Sequence, residues 1–524
     1  MYKPSQLSRA ARYAVHKKNW KALRVYIGEL YKISPGDPEA IFLSGMYSKN
    51  TGNLQGAISD FRNTLRLDSR RYDAAIELAN LLLKLSLNSE AINLINNYKS
   101  NLTNSPLYLD MAGAIYSNLG LHQEAVELFE KANQLQPNTE TIEANLASCY
   151  TYTGDIDRAY KIYTKLLDQL PFHQRYHYKI SLLKKVKDSK HINLMKSCLA
   201  QEKLPDSKNI FIFYALGKEL EDLQEWDESF HYYNLAGNAA TSASNYSVSK
   251  DIDLIDSIIE ICSPQWLKEK TTLNKGEVNL KIPIFIVGLP RTGTTLIDKI
   301  VSSHSKVSSA DETFFMQRAI QQSSKNLSTT GLTSRVMAEA AKADIQEIAK
   351  AYLHSIEYKL DKSPLFTDKL PENHLYLGFI AKAFPHAKII NLHRNPMDSC
   401  FALYKQSYFR YAYNFSDLAE YYLAYNKLNQ YWHKVLRGRI IDVRYESLVA
   451  DQINQTKRIL EKLGLRFEEN CLHFHKNPSA TASASASQVR QKIYSDSVNK
   501  WKKFSAHLGP LKELLEKGGI DTSH

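Results

Sequence analysis

A helical repeat solenoid followed by an α/β unit is the architecture this sequence predicts. Three observations carry it: a 34-residue period through the first half, a strand, glycine loop and helix passage from Ile282 to Thr295, and alternating strand and helix patterns beyond it. The 524 residues, 44% apolar and 23% charged, suit two or three folded units with sizeable cores and exclude disorder as the main state. The most apolar run, Ile282 to Pro290, is far short of the roughly 20 residues of a membrane-spanning helix, and the N-terminus lacks the apolar stretch of a signal peptide. The expectation is a soluble, unsecreted, cytoplasmic protein without a transmembrane segment. Cys149, Cys198, Cys262, Cys400 and Cys471 are odd in number and scattered, which argues against a disulfide framework or a cysteine zinc site and fits a reducing compartment.

The formal charge is +12, and residues 1 to 32 hold eight Lys or Arg against one acid, Glu29. Those bases either solvate the outside of a first helix or attract an acidic partner or anionic surface. In the repeat half, Ala57, Ala91, Ala125 and Ala159 recur every 34 residues, and Phe61, Ile95, Phe129 and Tyr163 keep the same step. Gly113, Tyr116, Gly120, Ala125, Phe129, Ala132 and Pro137 then reproduce the spacing of a tetratricopeptide repeat, to which the segment is similar. Drifting units read around Ala22 and Pro35, and around Gly217, Ser229, Tyr233 and Ala236. The predicted domains are a solenoid over residues 1–240, a linker and connecting helix over 241–280, and an α/β domain over 281–524. Small polar residues from Gly237 to Ser249 supply the connector. Such solenoids hold peptides or proteins on a concave face, or serve as spacer or dimer support.

In the second half, Ile282 to Val287 reads as a buried parallel strand leading into Gly288-Leu-Pro-Arg-Thr-Gly-Thr-Thr295 and a helix. Backbone N–H groups at that helix start, with Gly293 allowing close approach and Arg291 adding charge, are suited to a phosphate. The spacing is that of the G-x-x-x-x-G-K-(S/T) loop except that Thr294 replaces the lysine, which disfavours a nucleoside triphosphatase or kinase. Further strands at Phe366 to Lys369, Lys388 to Leu392 and Arg439 to Val443 alternate with helices, predicting a P-loop-like parallel sheet with helices on both faces. Arg291, Lys369 and Arg394 fall at or just after strand ends, where ligands of such sheets bind.

Four segments in order, PIFIVGLPRTGTTLIDKIVSSHSKVSSADE, FTDKLPENHLYLGFIAKAFPHAKIINLHRNPMDS, IIDVRYESL and SASQVRQKIYSDSVNKWKKF, resemble the motifs of sulfotransferases that use 3′-phosphoadenosine 5′-phosphosulfate (PAPS). The branch they resemble contains the tyrosylprotein sulfotransferases and the bacterial proteins that join tetratricopeptide repeats to such a domain. The resemblance implies that Pro290, Arg291, Thr292, Gly293, Thr294 and Thr295 cradle the 5′-phosphosulfate. It places Glu312, eight residues beyond His304, at the catalytic base, and Lys369 and Ser485 at the pair stabilising the transition state. Arg394 falls on the 3′-phosphate arginine, and Tyr445 and Lys500 on further nucleotide contacts. One departure stands out. The family's serine eight residues beyond that arginine is Ala402 here, and Ser399 is the substitute the sequence offers. Ser483, Ser485 and Ser487 alternate with alanine, so each is a candidate donor.

This residue set fits sulfuryl transfer: a carboxylate deprotonates the acceptor, and Arg291, Lys369 and a serine stabilise charge developing on the leaving side. Glu312 reads alternatively as a helix N-terminal charge beside Asp311. PAPS is the implied donor; no metal and no nucleic-acid partner are expected. A peptide or protein acceptor on the repeats and a homo-oligomer are both compatible. A different class of function, a nucleotide-binding scaffold without turnover acting through its repeats, is motivated by Ala402.

Overall fold

The computed structural model describes residues 4–99, 102, 104–269, 281–324, 331–483 and 485–523, which form two compact units, Met1–Cys149 and Tyr150–His524. The first unit is built of antiparallel helix pairs, among them Pro38–Asn50 with Leu54–Leu67 and Pro106–Asn118 with His122–Leu135. The 34-residue alanines are fully buried, because they sit where two helix backbones meet. Opposite them, a small residue receives a ring sixteen residues later. A Cβ on Gly113 would lie 2.8 Å from the Phe129 ring, and in the second unit one on Gly217 would lie 2.7 Å from Tyr233. Close helix approach is thus the physical content of the repeat. In the drifting last repeat, Ser229 replaces the alanine, and its buried hydroxyl donates to the Gly217 carbonyl at 2.6 Å.

The second unit holds the remaining repeat-like helices and a five-stranded, wholly parallel sheet. Its strands are β1 (Ile282–Gly288), β2 (Val307–Ser309), β3 (Leu365–Lys369), β4 (Lys388–His393) and β5 (Ile440–Arg444), in spatial order β2-β3-β1-β4-β5. Alternate residues of β1 enter different cores, Phe285 and Val287 on one face and Ile284 and Ile286 on the other. Helices cover both faces, as a buried parallel sheet requires. Pairing sets Lys369 beside Ile286 and Leu392 beside Gly288, so the carboxyl ends of β3, β1 and β4 lie together.

The helices of residues 174–240 share a core with the α/β part. Tyr178, Tyr214, Leu216 and Tyr233 pack in one cluster with Met397, Phe401, Phe504 and Leu511. The segment read as a connector from Gly237 is different in the structure: the helix Trp226–Ser242 runs through Gly237, Ala239 and Ala240, all buried. Their smallness serves close packing, with Gly237 against the Tyr413 carbonyl and the Tyr404 ring, rather than flexibility. The Thr-, Asn- and Lys-containing stretch 270–280 of the expected linker lies outside the described residues. All five cysteines are buried free thiols. Among the described residues, no helix is long and apolar enough to cross a membrane.

Candidate active site

A cavity of about 1300 Å³ opens at the carboxyl ends of β1 and β4, and its wall includes Pro290, Arg291, Gly293, Thr294, Thr295, Glu312, Arg394, Tyr445, Ser485 and Lys500. A smaller cavity of about 620 Å³ in the first unit, lined by Arg62, Arg66, Tyr72 and Tyr98, contains none of the expected site residues.

The loop after β1 is held in a shape few residues adopt. Arg291 (φ 68°) and Gly293 (φ 101°) are left-handed, and a Cβ on Gly293 would lie 2.7 Å from the Tyr445 ring. Thr292 is buried, and its hydroxyl donates to the Leu289 carbonyl at 2.6 Å, so it braces the loop from inside instead of facing the cavity. The helix Thr294–Ser302 begins at once, and its first N–H groups point from that end. Arg291 donates to Ser485 Oγ at 2.5 Å and to Gln488 Oε1 at 3.2 Å, while the Thr295 hydroxyl donates to Ser483 Oγ at 3.3 Å. The Ser/Ala stretch is therefore pinned to the loop, with Ser485 opposite Arg291. Behind it, the buried Lys299 donates to the carbonyls of Ser479 and Ala480 at 2.9 and 3.3 Å.

Glu312 stands on a second strained corner. Asp311 (φ 58°) precedes it, accepts the Ala482 N–H at 3.0 Å, and offers its own carbonyl to the Lys369 N–H at 3.2 Å. Lys369, fully buried at the end of β3, donates to Glu312 Oε1 at 2.5 Å and lies 3.5 Å from Asp311 Oδ1. The Glu312 carboxylate thus takes an ammonium partner rather than a helix terminus. Burial raises the Glu312 carboxyl above its ordinary range, and Asp311 and Asp298 add to this, against the pull of Lys369. Burial alone would lower the Lys369 ammonium, but the surrounding carboxylates Glu312, Asp311 and Asp298 raise it. Glu372, also in the wall, is pushed up to about 6 by burial and by Glu312. Beneath them Asp368, accepting from Tyr352, Thr313 and Asn373 at 2.8, 3.0 and 3.1 Å, is pushed up to about 7 by burial. His304 is structural: its Nε2 meets the Arg466 carbonyl at 3.0 Å and its Nδ1 accepts from the Lys306 N–H.

At the other end, Arg394 donates to the Arg291 carbonyl at 2.9 Å and the Ser497 carbonyl at 2.6 Å and stacks over Tyr445 at 5.0 Å, while its buried Nε has no partner among the described residues. Ser399 is buried, directs its hydroxyl to the Arg394 carbonyl at 3.4 Å, and is absent from the cavity wall, which Ala402 reaches instead. On the helix Pro396–Tyr404, Ser399 shares a face with the fully buried Leu403 four residues on, which turns its side chain into the core. The C-terminal segment is clamped by Asp398, which accepts the N–H groups of Asn499 and Trp501 at 2.7 and 2.9 Å and so presents Lys500.

Two wall residues escaped the sequence. Glu221, at the end of the repeat helix Ile210–Asp222, is buried in the wall, pairs with Lys500, and accepts from Lys405 Nζ at 2.8 and 2.9 Å and from the Tyr233 hydroxyl at 3.0 Å. Burial would raise its carboxyl, but Lys405 and Lys500 override that and hold it down at about 2. Lys405 in turn is pushed down to about 8, because burial outweighs Glu221. In sequence, Glu219, Glu221 and Asp222 look like a solvated acidic helix end, and Lys405 like a solvated base.

A model described as the sulfotransferase family matches residues 283–469, and one described as the tetratricopeptide repeat matches 119–183. An uncharacterized protein of Aquifex aeolicus is 26% identical over 411 residues, 76% of this chain and 53% of that protein. The chain therefore spans about half the length of that relative. A putative protein-tyrosine sulfotransferase of Caenorhabditis briggsae is 27% identical over 238 residues, 43% of this chain and 81% of that one. Among solved structures, the sulfotransferase domain of the Synechococcus PCC 7002 olefin synthase matches 46% of this chain and 97% of its own, at 21% identity and a TM-score of 0.35.

Proposed function

Because this chain joins tetratricopeptide repeats to a domain of the sulfotransferase family, we propose that it moves a sulfuryl group from PAPS to a hydroxyl or amine acceptor, carried on a peptide or protein that the repeats engage. The observation that carries this reading is the meeting, in one cavity, of a glycine-bearing loop at a helix start, two arginines from the ends of neighbouring strands, and a lysine-paired carboxylate with a raised pKa. A phosphate-bearing donor fits these residues: Arg394 keeps a buried Nε without a partner among the described residues, and the Gly293 surface is closed to any side chain by Tyr445. Arg291, the N–H groups from Thr294 onward and the pinned Ser485 would hold the phosphosulfate end, and Arg394, Lys405 and Lys500 the other. Lys405 and Lys500 offset the hydroxyl missing at Ala402.

When bound, the donor supplies the sulfuryl group and its leaving phosphate. Glu312 accepts the proton of the attacking acceptor, and its raised pKa makes it a stronger base near neutral pH than an ordinary glutamate. Protonation removes its negative charge and loosens the pair with Lys369, so that ammonium becomes free to answer charge developing beside it. Arg291 and Ser485 stand at the helix start for the leaving phosphate, and fixed donors there need no reorganisation.

The test is label transfer from PAPS to a panel of tyrosine peptides, phenols, sugars and lipids. Wild type should label one class and Glu312→Ala none, while the variant keeps its affinity for 3′,5′-adenosine bisphosphate. A second reading, a nucleotide-binding scaffold, is favoured by Ala402 in the wall. It would be chosen by tight bisphosphate binding without label transfer to any class.

A further inference from the structure

Outside the cavity, three side chains from three elements converge at the β4–β5 edge of the sheet. The two-residue strand period puts Asn391 and His393 on one face of β4, and the register sets Asp442 of β5 directly beside Asn391. The helix Phe415–Val435 crosses that face and presents His433 from its last turn. His393 Nε2 lies 2.7 Å from Asp442 Oδ1, His433 Nε2 lies 3.0 Å from both Asp442 oxygens, and the ligating atoms of all three residues fall within 4.8 Å of one another.

The hydrogen bonds of His433 are not satisfied by a neutral imidazole. His433 Nδ1 lies 2.8 Å from the Asn429 carbonyl, and an acceptor there requires Nδ1 to carry the proton. In the neutral ring this leaves a lone pair on Nε2 aimed at a carboxylate. His393 Nε2 lies 2.8 Å from the Asn391 amide nitrogen and 2.7 Å from Asp442 Oδ1, and since the two Asn391 amide hydrogens have acceptors in Asn429 Oδ1 and, at 3.2 Å, Asp442 Oδ1, the Nε2–H of a neutral ring serves the carboxylate. Asn391 is itself oriented by Asn429 Oδ1 at 2.9 Å. A cation held between His433 Nε2 and the Asp442 carboxylate would answer that lone pair. A carbonyl fixing the far nitrogen of an imidazole is the outer support found behind metal-binding histidines.

We propose that His393, His433 and Asp442 bind one divalent first-row transition cation. Two imidazoles and a carboxylate match zinc or a neighbouring metal with a position left for water, whereas magnesium and calcium favour all-oxygen sets. The side chains are 37%, 36% and 45% exposed, so the site is open to solvent and to metal exchange. None of the three lies in the cavity wall. The cation is therefore a brace that ties β4, β5 and the long helix together at the residue before Arg394. Separations of 40 and 9 residues form no local motif, which is why no metal was expected from sequence.

The experiment uses the full chain, stripped with chelator and titrated with Zn²⁺ against a chromogenic zinc indicator, with Mg²⁺ as control. His433→Ala and the near-isosteric Asp442→Asn are run beside wild type, and circular dichroism checks their fold. Wild type should show one site at least about tenfold tighter than in either variant, with no response to Mg²⁺. Equal Zn²⁺ binding by wild type and both folded variants would overturn the proposal. Co²⁺ added to wild type alone gives a second readout that needs no variant. Visible absorption of a four- or five-coordinate ion at one equivalent supports the site, and only the spectrum of hydrated Co²⁺ refutes it.

Discussion

Two buried carboxylate–ammonium clusters wall the same cavity, and their stoichiometry is reversed. Around Lys369 gather Glu312 and Asp311, with Asp298 adding its field, so one ammonium serves an excess of carboxylates. Around Glu221 gather Lys405 and Lys500, so one carboxylate serves two ammoniums. Coulomb's law then gives the two ends opposite appetites. At the carboxylate-rich end burial, helped by Asp311 and Asp298 against the pull of Lys369, raises Glu312 and favours proton uptake, whereas at the other end Lys405 and Lys500 overcome burial, hold Glu221 down at about 2 and leave positive charge for an anion. In the proposed reaction these are the two requirements of sulfuryl transfer, a base for the acceptor and a grip on the donor.

The largest effect should come from the first cluster. Glu312→Gln is expected to lower turnover on the order of 10³-fold. Since its folded pKa is raised, wild-type activity should climb with pH through a value above 4.5 as Glu312 loses its proton, and the variant's pH profile should lack that limb. A Glu312→Gln profile that keeps the limb would assign the base elsewhere.

Next in size is Glu221→Gln, which strands two buried ammoniums and should cost about 3 to 5 kcal/mol of stability at pH 7, read from denaturant midpoints. A carboxyl depressed from 4.5 to about 2 contributes stability above 4.5 that disappears as pH falls through 2. The gap between wild type and variant should therefore narrow over that window; a gap constant with pH would refute the charge argument. Lys405→Met should weaken 3′,5′-adenosine bisphosphate binding about tenfold while leaving adenosine 5′-phosphate little changed, in parallel titrations at one salt concentration. Equal losses for both ligands would move Lys405 away from the 3′-phosphate. The smallest effect is Ala402→Ser, expected to tighten the bisphosphate by about 1 kcal/mol or less, since the lysines already compensate.

The two clusters also differ in how far the sequence revealed them. Lys369, Arg291 and Arg394 were legible because each sits at or just after the end of a strand whose apolar pattern and turn residues announce it, whereas Glu312 was marked only by the resemblance of its motif. The repeats were legible because every 34 residues the same small side chain must let two helices touch. Glu221 was not, since its partner Lys405 lies 184 residues away and nothing local distinguishes a buried acid from a solvated one. The inward turn of Ser399 and the burial of Thr292 were likewise invisible, because both depend on which face of a short element meets the core. The three-residue β2 is too short for any periodicity to mark. Small residues after Gly237 misled for a related reason: tight packing and flexible linkage draw on the same residue types.

The central claim, that one cavity divides into a proton-taking end and an anion-holding end, is tested most directly by calorimetric titration of 3′,5′-adenosine bisphosphate. Wild type, Glu312→Gln and Lys405→Met would be compared at fixed salt, with ADP as the competing ligand. Wild type should prefer the bisphosphate over ADP, Glu312→Gln should bind it unchanged, and Lys405→Met should bind it about tenfold more weakly. Absence of any preference over ADP, or binding lost in Glu312→Gln and intact in Lys405→Met, would contradict that claim.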